Sequence, residues 1–128
     1  MLDRTKRISC LLVEDEALSI EMMQDYIGRR HELELVAIAS EMSEIQPLVA
    51  AYFPAIIFLD LVLPIGKSTG FHFGMLPQTA SIVIVSGVPL THYHGELPKG
   101  KIFELPKPVS FESFERCVDE VLLSRLSR

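Results

Sequence analysis

Five short apolar runs, four of them almost uninterrupted, limit most strongly what this chain can fold into. They are Ile8–Val13, Leu33–Ala39, Ala55–Leu59, Ser81–Val85 and the weaker Lys101–Leu105. A strand with one wet face alternates apolar and polar residues, whereas a strand covered on both faces is apolar throughout. Runs this short and this continuous therefore predict parallel strands inside a layered domain. Helical patterns separate them. Ala17–Arg30 places Leu18, Met22 and Tyr26 on one stripe, with Met23 and Ile27 beside it. Ser43–Tyr52 carries Ile45, Leu48 and Val49, with Ser43 as the expected cap and Pro47 in the first turns. Ser110 is the expected cap of Phe111–Leu126, where Phe111, Phe114, Val118, Val121 and Leu122 recur at helical spacing. Strands and helices alternate along the whole chain. Short connections and right-handed crossovers make that order a doubly wound α/β sandwich around a five-stranded parallel sheet. Two stretches are poor helix. Gly70–Leu76 contains Gly74 and is stopped by Pro77, and 88–100 holds Pro89, Gly95, Pro98 and Gly100.

The 128 residues fit a single domain, 1–128, large enough to bury a core without staples. A net charge of −5 argues against a sequence-independent grip on nucleic acid, which needs a basic face. Cys10 and Cys117 lie in apolar segments without metal-ligand spacing and read as buried thiols. The charged start is no signal peptide, and no apolar stretch approaches the ~20 residues that span a bilayer. A cytoplasmic protein that touches neither membrane nor nucleic acid is expected.

In an open parallel sheet, ligands bind at the carboxyl ends of the strands. This sequence places Glu14-Asp15-Glu16 after the first run, Asp60 after the third, Ser86-Gly87 after the fourth and Lys107-Pro108 after the fifth. Carboxylates crowded on one rim raise each other's pKa. A hard divalent cation such as Mg2+ relieves that conflict through oxygen ligands and leaves room for phosphate oxygens. An Asp beside it can attack a phosphoryl group, while an amine and a hydroxyl hold the product oxygens.

Four segments carry a resemblance: L-L-V-E-D-E (Leu11–Glu16), I-I-F-L-D-L-V-L-P (Ile56–Pro64), V-I-V-S-G (Val83–Gly87) and L-P-K-P-V (Leu105–Val109). In this order the chain resembles the receiver domain of bacterial two-component response regulators. The resemblance implies a flavodoxin-like (βα)5 fold and a Mg2+-dependent phospho-acceptor at Asp60. It implies Asp15 as direct metal ligand, Glu14 as outer-shell acid, and the carbonyl of Val62 as a further ligand beside Asp60. Ser86 is then the switch hydroxyl and Lys107 the amine that pairs with the phosphoryl group, with a cis Lys107–Pro108 bond. The implied partner is a histidine kinase or phosphotransfer protein, and a homodimer through the last strand and last helix is a further expectation. Such a domain is regulatory and assists only its own phosphotransfer and dephosphorylation. K-P-V-S-F-E-S-F, with F-L-D before it, is similar to the LytTR-type regulators, which add a DNA-binding output domain. No output domain is expected in these 128 residues.

Glu104 departs from the pattern, since many receivers carry Tyr or Phe three residues before the lysine. Five residues, I-G-K-S-T, separate Pro64 from Gly70, more than is usual. These departures motivate the alternative of an atypical receiver, a protein-interaction module independent of phosphorylation. A small phosphatase with an Asp nucleophile is disfavoured, because Val62 stands where its general acid would be. Taken one at a time, Asp60, Ser86 and Lys107 are turn or loop residues. His72, His92 and His94 read as solvated loop histidines rather than metal ligands.

Overall fold

The computed structural model describes residues 6–60, 73–87 and 101–126. The elements are β1 (Ile8–Val13), α1 (Ala17–Gly28), β2 (Leu33–Ala39), α2 (Ile45–Tyr52), β3 (Ile56–Asp60), β4 (Ser81–Ser86), β5 (Lys101–Pro106) and α3 (Phe111–Leu126). Single 3-10 turns at Met42–Glu44 and Phe73–Met75 complete them. The strands form one sheet in the order β2-β1-β3-β4-β5, and every pairing is parallel. This is the doubly wound flavodoxin-like arrangement. All strand carboxyl ends therefore share one rim, and β2 and β3 leave β1 on opposite sides.

Every residue of β3 and β4 is buried, which is why their sequences show no alternation. Their side chains divide between two cores. Cys10, Leu12, Phe58, Val83, Val85 and Leu105 face α1 and α3. Leu11, Val13, Ile57, Leu59, Ile82 and Ile84 face the other way, toward α2. Phe103 packs on the first side and Ile102 on the second, as strand alternation requires.

The starts of α1 and α3 have a visible chemical cause. The Glu16 carboxylate accepts from the Ser19 amide at 2.8 Å and the Leu18 amide at 3.4 Å, so it caps α1. The Ser110 hydroxyl accepts from the Ser113 amide at 3.0 Å and caps α3 as expected. Ser43 does not cap the second helix. It lies inside the 3-10 turn, and the Glu44 carboxylate instead accepts from the Ser40 and Glu41 amides at 2.7 and 3.0 Å. A long carboxylate reaching backwards satisfies two amide donors where a Ser hydroxyl satisfies one. The expected stripe on α1 is also shifted. Met23 and Ile27 are its buried residues, while Leu18 is 72% exposed, because residues 15–18 all face solvent before the helix meets the sheet. The short 3-10 turn at Phe73–Met75 agrees with poor helix before Pro77; the rest of that stretch, and 88–100, lie outside the described residues.

Side chains distant in sequence tie α3 down. Arg30, with only 10% of its side chain exposed, pairs with Glu32 at 3.1 Å, Glu115 at 3.5 Å and Asp119 at 3.0 Å. Arg125 Nη1 donates to the Ala55 carbonyl at 3.2 Å, and Lys101 Nζ to the Ser124 carbonyl at 2.9 Å. Phe53 ends α2 at φ 47°, with its side chain 79% exposed. A left-handed conformation costs an L-residue roughly 1–2 kcal/mol, and glycine escapes most of that. Phe53→Gly is therefore expected to raise stability by about 0.5–1 kcal/mol in urea denaturation, since little burial is lost. A destabilisation would show that Phe53 makes a contact its exposure hides. Among the described residues, no helix is long and apolar enough to cross a membrane.

Candidate phosphoryl and metal site

The strand register brings the rim residues together. Val13 of β1 pairs with Leu59 of β3, so the next residues, Glu14 and Asp60, stand side by side. Asp60 in turn pairs with Val85, whose successor Ser86 ends β4 opposite Pro106. Lys107 follows at once and its amide donates to the Ser86 carbonyl at 2.9 Å. The Glu14 amide extends the ladder by donating to the Ala39 carbonyl at 2.9 Å.

Carboxylate oxygens of Glu14, Asp15 and Asp60 lie within 4.8 Å of one another. Glu14 and Asp60 are each 3% exposed, whereas Asp15 is open to solvent. Lys107 Nζ approaches Asp60 Oδ1 at 3.3 Å. The Glu14 carboxyl accepts from the Glu16 amide at 3.2 Å. Burial, together with the Asp60 carboxylate beside it, pushes the Glu14 carboxyl up to about 7, against the weaker pull of the Glu16 amide and Lys107. Ser86 is buried at the same rim. The Lys107–Pro108 peptide bond is cis. Val62 lies outside the described residues, as do His72, His92, His94 and the I-G-K-S-T segment. The acidic triplet divides its labour: Glu16 caps α1, while Glu14 and Asp15 enter the cluster.

The donor set tests well against a hard cation. Among the described residues, three carboxylate side chains, two of them withdrawn from water, meet one ammonium. A divalent ion would restore the charge balance and return Glu14 to its ionised form. The metal-free protein has a matching signature. Glu14 binds its proton more tightly folded than unfolded, so folding stability falls as pH rises from about 4.5 to about 7. Glu14→Gln is expected to flatten that dependence and to stabilise the metal-free protein more at pH 8 than at pH 5. Denaturant midpoints at the two pH values measure this, and equal shifts at both would contradict the crowding.

Cys10 and Cys117 are buried free thiols, both pushed up to about 12 by desolvation, and so are unreactive packing residues. Two other features have no signal in the sequence. One is the Arg30 hub, whose partners on α3 lie 85 and 89 residues away. The other is a cavity beside the cluster, walled by Ser19, Met22 and Met23 of α1 together with Pro108 and Val109.

No family model and no curated protein matches the chain. Solved structures do. The response regulator PhyR from Brucella abortus aligns with a TM-score of 0.74 at 19% identity, covering 94% of this chain and 50% of that one. The receiver domain of PhyR from Erythrobacter litoralis aligns with a TM-score of 0.69 at 15% identity, covering 94% of both chains. A CheY-like receiver domain from Methylobacillus flagellatus aligns with a TM-score of 0.68 at 18% identity, covering 90% of this chain and 98% of that one. This chain spans about half the length of the full PhyR structure. At these identities the likeness is one of fold: the chain has the fold of CheY-like receiver domains.

Proposed function

We propose that this protein is a two-component receiver, and that Asp60 accepts a phosphoryl group in a Mg2+-dependent step. The observation that carries the reading is the rim itself. A buried Asp60 touches both a crowded acidic pair and an ammonium at 3.3 Å, on a sheet of receiver fold. In the reaction an Asp60 carboxylate oxygen attacks phosphorus and the donor's leaving atom, the imidazole nitrogen of a phosphohistidine or the acetate oxygen of acetyl phosphate, departs with its electron pair, giving an acyl phosphate. Bound Mg2+ supplies charge neutralisation for the phosphoryl oxygens. Asp15 and Asp60 would hold it with Glu14 beside them, and the resemblance adds the carbonyl of Val62 as a further ligand. Lys107 pairs with a phosphoryl oxygen once Asp60 is phosphorylated, and Ser86 donates its hydroxyl to another. Those two contacts exist only in the phosphorylated state, so they supply the differential free energy that shifts the equilibrium.

The phosphoryl donor in this reading is a histidine kinase or phosphotransfer protein in the cytoplasm. The K-P-V-S-F-E-S-F segment supports membership in the LytTR-type group, in which a receiver controls a DNA-binding domain, with dimerisation through the last strand and last helix. The test is incorporation of phosphate from acetyl phosphate. Label retained with Mg2+ and absent after chelation supports the reading; no label under either condition refutes it. One observation favours the second reading, a phosphorylation-independent interaction module. Glu104 sits opposite Ile84, on the strand face turned away from Phe103, at the position where many receivers carry an aromatic side chain. Equal partner affinity of phosphorylated and unphosphorylated protein would decide for the module.

A further inference from the structure

A cavity of about 410 Å³ opens between α1 and the segment after β5, next to the acidic cluster. Its size falls within the range that holds small organic ligands. Met22, Met23, Val85, Pro108 and Val109 give it an apolar body, and two of these are methionines, which adapt to ligand shape. Its polar side is formed by Glu14, Ser19 and Lys107. Glu14 thus belongs both to the cavity wall and to the carboxylate cluster. That shared residue sets the sign of the ligand. Among the described residues, the carboxyl groups of Glu14, Asp15 and Asp60 outnumber the ammonium of Lys107, which Asp60 already holds at 3.3 Å. An anion entering here would meet surplus negative charge. A cation would relieve it.

We propose that this cavity binds a small organic cation with an apolar body, an aryl or short alkyl amine. Its ammonium rests against Glu14 at the edge of the cluster, and its body lies between Met22, Met23, Val85 and Val109. The head neutralises the same carboxylates that a divalent ion would neutralise. Amine and Mg2+ therefore exclude each other, and the occupied cavity holds the protein in a state without Mg2+. The site stands on the cavity and its charge and does not require that Asp60 be phosphorylated. Its regulatory consequence, inhibition of phosphorylation, does rest on the receiver reading.

The experiment uses the 128-residue chain with methyl-labelled methionine, titrated by NMR with phenethylamine and with phenylpropanoate, which share a phenyl body and differ in head charge. The amine is expected to move the Met22 and Met23 methyl signals and to bind at least about tenfold more tightly than the carboxylate in metal-free protein. Saturating Mg2+ is expected to weaken the amine by about tenfold or more. Met22→Trp, which fills the cavity from its partly exposed wall, is expected to lose amine binding. Equal or tighter binding of the carboxylate overturns the proposal. So do silent Met22 and Met23 signals, unaltered amine affinity in protein shown to be Mg2+-bound, or full amine binding by a folded Met22→Trp. If that variant does not fold, the paired probes on the unaltered chain decide the matter. Absence of Mg2+ binding would count against the receiver reading, while the metal-free comparison of the two probes would still decide the cavity.

Discussion

Asn in place of Asp60 will keep the fold and lose the phosphoryl group. The amide matches the carboxyl in volume, so the β3 pairings with β1 and β4 persist. It lacks the anionic oxygen that must attack phosphorus. Label incorporated from acetyl phosphate and Mg2+ should drop to background, a loss of at least about a hundredfold, or roughly 2.7 kcal/mol in the barrier. The same change removes one of the crowded carboxylates. The Glu14 carboxyl, raised to about 7 partly by the Asp60 beside it, should titrate lower in the variant. Circular dichroism separates loss of chemistry from loss of fold. Undiminished labelling of a folded Asp60→Asn protein would place the acceptor elsewhere.

Phe114→Ala will cost about 3–5 kcal/mol of folding free energy, the range for emptying a buried phenylalanine site. Phe114 is fully buried. Its ring lies 5.8 Å from Phe58 of β3, 5.5 Å from Tyr26 of α1 and 6.2 Å from Phe111. One side chain thus joins the central strand to both helices on that face. Against a typical total of about 5–15 kcal/mol, such a loss leaves a marginal domain. The urea midpoint should fall sharply with an unchanged slope. A cost below about 1 kcal/mol would mean that α3 can close over the void, which the polar ties of Arg30 and Arg125 argue against.

The strands were legible because burial on both faces writes itself directly into composition. Ile8–Val13 and Leu33–Ala39 have the expected bounds, the fourth and fifth runs extend by one residue at the rim, to Ser86 and Pro106, and the third is shifted by one, to Ile56–Asp60. The last helix was equally plain, with its Ser110 cap and apolar spacing. Misreadings arose where a local rule met a tertiary or longer-range competitor. Ser43 falls inside the 3-10 turn that leads into α2, so the helix starts at Ile45 without a side-chain cap, and the Glu44 carboxylate closes the turn before it. Leu18 fits the apolar stripe of α1 but falls in a first turn that faces solvent. The Arg30 hub could not be read, because a charged residue in a turn does not reveal partners on a helix far along the chain.

The candidate site was legible to a different degree. Strand ends alone located Glu14, Asp60, Ser86 and Lys107 on one rim, and the register places them there. The spacing of motifs carried no information on depth. That Glu14 is as buried as Asp60, while Asp15 is open to solvent, follows from packing against β2 and β3. The cavity had no sequence signal at all, since adjacent methionines on a helix more often mean core. Val62 and residues 88–100 lie outside the described residues.

Locating the acyl phosphate tests the central claim most directly. The wild-type chain would be labelled with acetyl phosphate and Mg2+, reduced with borohydride, digested and sequenced by mass spectrometry. Borohydride converts an aspartyl phosphate to homoserine, which marks the esterified carboxyl. The account predicts homoserine at position 60, dependent on Mg2+ and on acetyl phosphate. Homoserine at Asp15, phosphate on Ser86, or an unmodified Asp60 peptide from labelled protein would contradict it.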